Sequence, residues 1–254
     1  MNEWLEIGVG TLLASVRVIA MFQIVPVFSH AGIPIRARTA LAFAIVWLVA
    51  PEVPAELFAA PSLALAAFVL QEAMIGLLLG FAASLLFAAF DLLGEFISIQ
   101  GGLGAASVVD PSSGASSVAL ASTLHTFALL AFVALDGHLE LLRAVALSYE
   151  HLPVGGGGPD VSAHLAVVRL GGAMFEIGFR LAAPIAVTMM ISNLGVGILG
   201  RVIPQLNLMM LQLPAQVALS LGLVMLGAGH LMDATRQLAE PWPERVLRAV
   251  VGAD

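Results

Sequence analysis

The stretch 63–99, LALAAFVLQEAMIGLLLGFAASLLFAAFDLLGEFISI, is compatible with one uninterrupted helix and carries three acidic side chains, Glu72, Asp91 and Glu95. At about 1.5 Å per residue, a helix of this length measures about 55 Å. The hydrocarbon core of a bilayer is about 30 Å thick, so the stretch is longer than a plain crossing requires. It predicts a long helical arm in an all-α membrane protein.

The composition of the whole chain supports a membrane location. Apolar residues make up 60% of the 254 residues and charged residues 11%, whereas a soluble domain usually has about 25% charged residues. With so few charges a soluble fold could not cover its surface, so lipid or protein partners must cover the excess apolar area. Helix is the structure in which a single segment satisfies its own backbone in lipid.

We expect about six hydrophobic helices, some of them forming long, kinked hairpins. The candidate spans are 5–28, 39–57, 63–90, 119–135 (which could extend to 147), 165–199 and 208–230. Pro184 interrupts the fifth run, and because proline removes a backbone donor and bends a helix, a second long, kinked arm is expected there. Gly155–Gly158, followed by Pro159, predict a flexible linker.

Loop charges predict the topology in part. Arg36 and Arg38 place the first loop in the cytoplasm by the positive-inside rule, and Arg201 does the same for the fifth loop. Simple alternation over six spans then leaves the C-terminus outside. The arginines of the tail favour the inside instead, and a re-entrant apolar run would account for both indications.

Ionisable side chains within apolar helices usually face protein or water rather than lipid. They are Arg17, Glu72, the pair Asp91 and Glu95, and the pair Glu176 and Arg180. The i,i+4 spacing places each pair on one helix face, and the Glu–Arg pair can neutralise itself. Pairing between helices or at a subunit interface is the favoured interpretation, and an ion or proton path is the alternative. Gly76 and Gly80 add a ridge of small residues that lets another helix approach closely.

The sequence gives no reason to expect a cofactor, a metal site or enzymatic activity. It has no cysteine, and its six histidines show no zinc-like spacing. Nucleotide-binding and nucleophile motifs are absent from it. The net charge of −7 does not favour nucleic-acid binding, which usually requires a basic patch.

Residues 94–117, GEFISIQGGLGAASVVDPSSGASS, separate the two halves of the chain. The segment is too polar for lipid and too apolar for a free aqueous loop. Irregular backbone at membrane depth is tolerated where it is buried in protein or lines a cavity. We therefore expect a loop packed inside protein, with a turn at Asp110 and Pro111, and an ordinary surface loop is the alternative.

This segment resembles the central signature of the FliR family of the type III export gate. Residues 135–153, LDGHLELLRAVALSYEHLP, and 193–214, NLGVGILGRVIPQLNLMMLQLP, resemble two further stretches of that family. Near the start, Arg17, the triplet 26–28 and the segment 33–38 also fit. Several ordered motifs together are far more specific than any one of them.

The resemblance implies a non-enzymatic subunit of the flagellar export gate, in the bacterial inner membrane and the flagellar basal body. Its implied partners are FliP, FliQ and FlhB, membrane lipid, and unfolded flagellar proteins as substrates. Within a single domain spanning 1–254, a FliP-like part of about 1–200 would precede a FliQ-like part of about 208–235 and a short polar tail, 236–254. An ion-coupled secondary transporter or channel is the alternative function, for which inverted repeats would be expected.

The resemblance also implies roles for individual residues. An internal plug would comprise Gly101, Gly102, Gly104, Ala105, Ala106, Val108, Val109, Asp110, Pro111 and Gly114. Subunit packing and buried polar contacts would involve Arg17, Glu72, Gly76, Gly80, Asp91, Glu95, Gln100, Glu176, Arg180, Arg201, Gln205 and Asn207.

Overall fold

The computed structural model describes residues 2–30, 32–54, 57–58, 61–100, 115–157, 161–202 and 208–239. Within these ranges the regular structure is helical, which confirms the all-α fold class. The helices are α1 (Asn2–Ile24), α2 (Pro26–Ser29), α3 (Ile35–Val49), α4 (Ser62–Gln100), α5 (Ala115–Ala134), α6 (Gly137–His151), α7 (Val161–Val202) and α8 (Leu208–Ala239).

The two long arms are the longest helices. α4 has 39 residues and includes the whole of the predicted stretch 63–99. α7 has 42 residues and continues through Pro184, so the proline does not end the helix. One turn later, the hydroxyl of Thr188 donates to the carbonyl oxygen of Pro184 at 2.8 Å.

Two predicted spans end earlier than expected, and the possible extension of a third is absent, each at an identifiable backbone feature. α1 ends at Ile24, and Val25 separates it from Pro26, the first residue of α2. α3 ends at Val49 because Ala50 adopts a left-handed conformation (φ 44°) before Pro51. Asp136 is left-handed as well (φ 57°), and a right-handed helix cannot contain such a residue. The extension of the fourth span to 147 is therefore wrong.

By length and composition, three described segments could cross a membrane: Ser62–Gln100, Gly171–Val202 and Pro214–Asp233. Gly8–Ile24 and Ser122–Ala134 are apolar but shorter. α3 has only 15 residues, fewer than the roughly 20 that a plain crossing requires.

The chain divides into two compact units, and α4 and α7 contribute residues to both. The first unit contains Met1–Leu86, Val133–Gly172 and Leu238–Asp254, and the second contains Phe87–Phe132 and Ala173–Gln237. In the first unit α3 packs against α1, with Ala42 and Val46 buried.

Candidate functional site

The centre of the first unit is a buried ion pair between α1 and α4. Nε of Arg17 lies 2.8 Å from Oε2 of Glu72, and Nη2 lies 3.1 Å from Oε1. Both side chains are 0% exposed. Such a two-bond contact between guanidinium and carboxylate fixes direction as well as distance. Each charge is compensated by the other, which burial at this depth requires.

α6 and the turn after it supply the remaining partners of Arg17. Nη1 donates to Oγ of Ser148 at 3.0 Å, and Nη2 donates to the carbonyl oxygen of Leu152 at 2.9 Å. The guanidinium carbon stands 4.2 Å from the centre of the Tyr149 ring, a cation–π contact. Arg17 therefore joins three helices and a turn through one planar group.

Tyr149 makes a second connection between α6 and α1. Its hydroxyl donates to the carbonyl oxygen of Ala14 at 2.8 Å. Burial raises the pKa of Tyr149, and the nearby Arg17 lowers it by less. The phenol therefore stays protonated and remains a donor at physiological pH.

Close approach between α1 and α4 brings Arg17 and Glu72 together. A Cβ added to Gly76, one turn after Glu72, would lie 2.1 Å from the carbonyl oxygen of Arg17. At Gly80 the corresponding distance to the carbonyl oxygen of Met21 is 2.9 Å. Both glycines belong to the predicted ridge of small residues, and here the ridge meets the backbone of α1.

The glycine-rich linker is anchored at its start rather than free along its whole length. Val154 is fully buried, and the amide of Gly155 donates to Oε1 of Glu72 at 3.3 Å. Gly155 has φ +74°, and an added Cβ would lie 2.8 Å from Cδ1 of Leu57. Gly155 at the start of the predicted linker therefore lies against Glu72 and Leu57, and the flexibility of the linker stays a prediction.

The second unit carries two ion pairs near its surface. Nδ1 of His125 on α5 lies 2.7 Å from Oδ1 of Asp91 on α4. Glu95 is exposed on the same face of α4 as Asp91. On α7, Nη2 of Arg180 donates to Oε1 of Glu176 at 2.6 Å, and both side chains are exposed. The Glu–Arg pair thus neutralises itself, whereas Asp91 has a histidine partner that the spacing did not indicate.

α7 and α8 are joined by an amide contact that sequence reasoning missed. Nε2 of Gln216 donates to Oδ1 of Asn193, and Gln216 is buried. Hydrogen bonds between side-chain amides are a common means of joining apolar helices. Its two members are 23 residues apart, so no local pattern connects them.

The structure gives less information about the remaining predicted positions. Gln100 is the last residue of α4, and Arg201 lies exposed near the end of α7. All ten predicted plug residues between Gly101 and Gly114, together with Gln205 and Asn207, lie outside the described residues.

The arrangement of the Arg17 centre is suited to holding helices together. Arg17 donates to three partners, and Glu72 accepts from Arg17 and from the backbone. Neither side chain is exposed to a substrate. Among the described residues, no group of three or more histidine, aspartate or glutamate side chains could hold a metal ion.

Residues 9–241 match the model of a protein family described as "Bacterial export proteins, family 1". The chain belongs to this family, that of FliR. It is similar to the flagellar biosynthetic protein FliR of Escherichia coli K12, with 33% identity over 222 residues, 87% of this chain and 84% of that relative. FliR of Bacillus subtilis is 32% identical over 225 residues, 87% of this chain and 86% of that relative.

FliR of Pectobacterium carotovorum is 35% identical over 212 residues, 84% of this chain and 80% of that relative. The matches cover most of the chain, so the FliR resemblance of the sequence motifs is confirmed. This FliR-family chain is a membrane-embedded component of the flagellar export apparatus.

Proposed function

We propose that this FliR-family chain is a structural, pore-forming subunit of the flagellar type III export gate. In this proposal unfolded flagellar proteins cross the inner membrane through the assembled gate. The chain acts as a conduit rather than an enzyme, and other components supply the energy. The buried Arg17–Glu72 centre supports this role, because it holds helices in fixed register and leaves neither charge open to a substrate.

The observation that carries the proposal is the exposure of α7 and α8. In the apolar stretch of Gly171–Val202 only 17% of the residues are buried, and the fraction is the same in Pro214–Asp233. In the apolar stretch of α4 the buried fraction is 56%. The exposed side chains include Met190, Leu194, Ile198, Leu221, Met225 and Leu226. Apolar faces of this extent require a cover, and we assign that cover to neighbouring gate subunits.

Open glycines support protein rather than lipid as the cover. A Cβ added to Gly195 or Gly197 on α7, or to Gly222, Gly227 or Gly229 on α8, would meet none of the described residues within 4 Å. Glycine within a helix costs about 0.5–1 kcal/mol relative to alanine. Packing among the described residues does not require glycine at these positions, whereas close approach by a helix of another subunit does. We propose FliP, FliQ and FlhB as these subunits.

Co-purification from detergent extracts tests the assembly. The full chain should be recovered with unlike small membrane proteins, identified as FliP and FliQ by mass spectrometry. Recovery as a stable monomer or as a symmetric oligomer of itself alone would contradict the proposal and favour a transporter.

A matched pair of variants locates the proposed contact face. Gly195→Leu on α7 should reduce recovery of the partners, because the larger side chain occupies the space proposed for a neighbouring helix. Ala37→Leu on α3 is the control, since Ala37 is exposed and lies outside the proposed contact face. Equal recovery of FliP and FliQ with both variants would contradict the assignment of this face of α7 as a subunit contact.

We further propose, on the sequence resemblance, that the segment from Gly101 to Ser117 acts as an internal plug of the closed gate. Deleting 106–115 should leave the complex assembled but allow ions or small molecules to leak through it. Conductance of the purified complex in planar bilayers measures this leak. A tight gate after the deletion would defeat the plug assignment.

A further inference from the structure

The first half of α4 has two faces of different character. One face packs against α1, where Glu72 bonds Arg17 and the glycines at 76 and 80 meet the backbone of that helix. The opposite face is exposed among the described residues. Its large side chains recur at spacings of three, four or seven residues, which keep them on one side of a helix. We call this set the outer stripe of α4: Leu63, Leu70, Met74, Leu77 and Phe81.

The length of the outer stripe matches the thickness of the hydrocarbon core of a bilayer. Phe81 follows Leu63 by 18 residues, which correspond to about 27 Å of helix at about 1.5 Å per residue. The hydrocarbon core is about 30 Å thick. Glu72 lies halfway along this length on the opposite face, where Arg17 compensates its charge. A charge at that depth requires such a partner, so the stripe and the buried pair fit the same position of α4 in the bilayer.

Exposed charges on α4 begin only beyond the outer stripe. Between Leu63 and Phe81 the only charged residue of α4 is the buried Glu72. Asp91 and Glu95 are exposed, and they lie about 15 and 21 Å further along the helix than Phe81. Charged side chains are costly in hydrocarbon. This distribution therefore permits lipid beside the stripe and disfavours lipid beside the two carboxylates.

Side-chain size distinguishes the outer stripe from the faces of α7 and α8. Those faces contain glycines, such as Gly195 and Gly222, that are open among the described residues. Small residues favour the close approach of another helix, whereas lipid tails are as apolar as leucine. Every side chain of the stripe is large, and Gly76 and Gly80 of the same part of α4 face α1. Flexible acyl chains can fill the uneven spaces between such large side chains, so the stripe fits lipid better than a partner helix.

We propose that the outer stripe of α4 is a lipid-facing surface, covered by the acyl chains of the membrane. Contact with lipid along the stripe sets the depth of the chain, with Glu72 near the middle of the bilayer and Asp91 outside the hydrocarbon. The inference goes beyond the proposed gate function, because it concerns a different face from the one assigned to neighbouring subunits. It holds for the chain with or without partners on α7 and α8.

Single spin labels along the stripe test the lipid contact, since the chain has no cysteine to remove. Leu70→Cys, Met74→Cys and Leu77→Cys provide three sites, and Ile198→Cys on the exposed face of α7 provides the comparison. Each labelled chain is reconstituted in vesicles of phosphatidylcholine and phosphatidylglycerol, alone and with its co-purified partners. Power saturation then measures collisions with oxygen, which concentrates among the acyl chains, and with a water-soluble nickel chelate.

At the three stripe sites we expect oxygen collisions to exceed nickel collisions several-fold, both in the chain alone and in the assembled complex. At Ile198→Cys, binding of the partners should reduce both. Few oxygen collisions at the stripe in the complex would mean that protein covers it, and frequent nickel collisions would mean that water does. Either result would overturn the inference. Absence of co-purifying partners would count against the gate proposal instead, and the chain alone would still decide whether the stripe faces lipid.

A fourth site on α4 tests the proposed depth. Glu95→Cys should show several-fold fewer oxygen collisions than Met74→Cys, because residue 95 lies beyond the hydrocarbon in this arrangement. Equal collision rates at the two sites would contradict the position of α4 in the bilayer. If one stripe variant does not fold, the other two make the same comparison.

Discussion

Two Glu–Arg ion pairs of the same chemistry occupy opposite surroundings in this molecule. Arg17 and Glu72 are completely buried and belong to different helices. Glu176 and Arg180 lie on one helix and are 62% and 76% exposed. In the isolated chain both side chains of the second pair are exposed, so the pair contributes little to its stability. Loss of one partner of the first would leave a buried charge without compensation. Burial, and not the chemistry of the side chains, therefore determines which ion pair contributes most to the stability of the fold.

The glycines show the same division. In the first unit, Gly76 and Gly80 allow the backbone of α1 to approach α4. On α7 and α8, a Cβ added to Gly195 or Gly222 would meet none of the described residues within 4 Å. The glycines of α4 therefore serve contacts made within the chain, whereas these glycines of α7 and α8 leave space that a neighbouring subunit can fill.

Substitution of Glu72 should have the largest effect. Glu72→Ala leaves Arg17 charged and buried, so we expect a loss of about 3–5 kcal/mol in the free energy of unfolding. Denaturant unfolding in detergent, followed by circular dichroism, measures it. Glu176→Ala is the control and should cost at most about 1 kcal/mol, because its partner is exposed. Similar losses in the free energy of unfolding for both variants would show that the buried and the exposed ion pair contribute equally to stability.

A double substitution separates the loss of the ion pair from the burial of an unpaired charge. Replacing Arg17 with Met and Glu72 with Leu removes both charges and keeps apolar volume in the site. Because no buried charge is left unpaired, the double variant should be more stable than Glu72→Ala alone. A loss equal to or greater than that of Glu72→Ala would show that the contacts to Ser148 and Leu152 matter more than the ion pair.

Replacing a packed glycine and an open glycine with alanine should change the free energy of unfolding in opposite directions. Gly76→Ala should cost about 1–3 kcal/mol, because α1 must move to admit the methyl group. Gly195→Ala in the isolated chain should gain about 0.5–1 kcal/mol from reduced backbone entropy of the unfolded state. Thermal unfolding of both variants measures the difference. A loss at Gly195 in the isolated chain would mean that this position is already packed.

The amide contact of the second unit should show the smallest effect. Asn193→Leu removes the acceptor of Gln216, and hydrogen bonds between membrane helices contribute about 0.6 kcal/mol on average. Ser192→Ala, one residue earlier, is the control. Comparing their midpoints of thermal unfolding tests whether the contact joins α7 to α8. A shift no larger than that of the control would show that apolar packing alone joins them.

Helix positions were largely predictable from local composition, whereas composition left the end of α5 open between 135 and 147 and wrongly indicated an interruption at Pro184. The apolar stretch 63–99 predicted α4 because a segment this long in lipid satisfies its backbone as a helix. The end of α5 at Ala134 depends on the left-handed conformation of Asp136. Apolar composition does not signal that conformation. Pro184 indicated an interruption, yet the helix continues through it, because a proline inside a helix removes one backbone donor and can bend the helix without ending it.

For the polar centre, the sequence indicated which charged side chains are energetically costly in an apolar helix, but not which groups they bond. Arg17 and Glu72 stood out because a charge in an apolar helix requires a partner. Ser148 and Tyr149 did not, since a hydroxyl on a polar helix such as α6 is ordinary. The partners are 55 and 131 residues apart along the chain, and no periodic pattern reaches across such separations. His125 escaped notice for the same reason.

An all-α membrane chain of the FliR family can be identified from composition, helix length and ordered motifs, because these are properties of consecutive residues. The pairing of Arg17 with Glu72 and of Asp91 with His125 is known only from the folded chain, as is the difference between glycines that meet α1 and glycines that are open among the described residues. Those outcomes depend on which helix faces approach each other. The contribution of a charged side chain or a glycine to stability depends on the groups packed around it in the fold, and not on the residues next to it in the sequence.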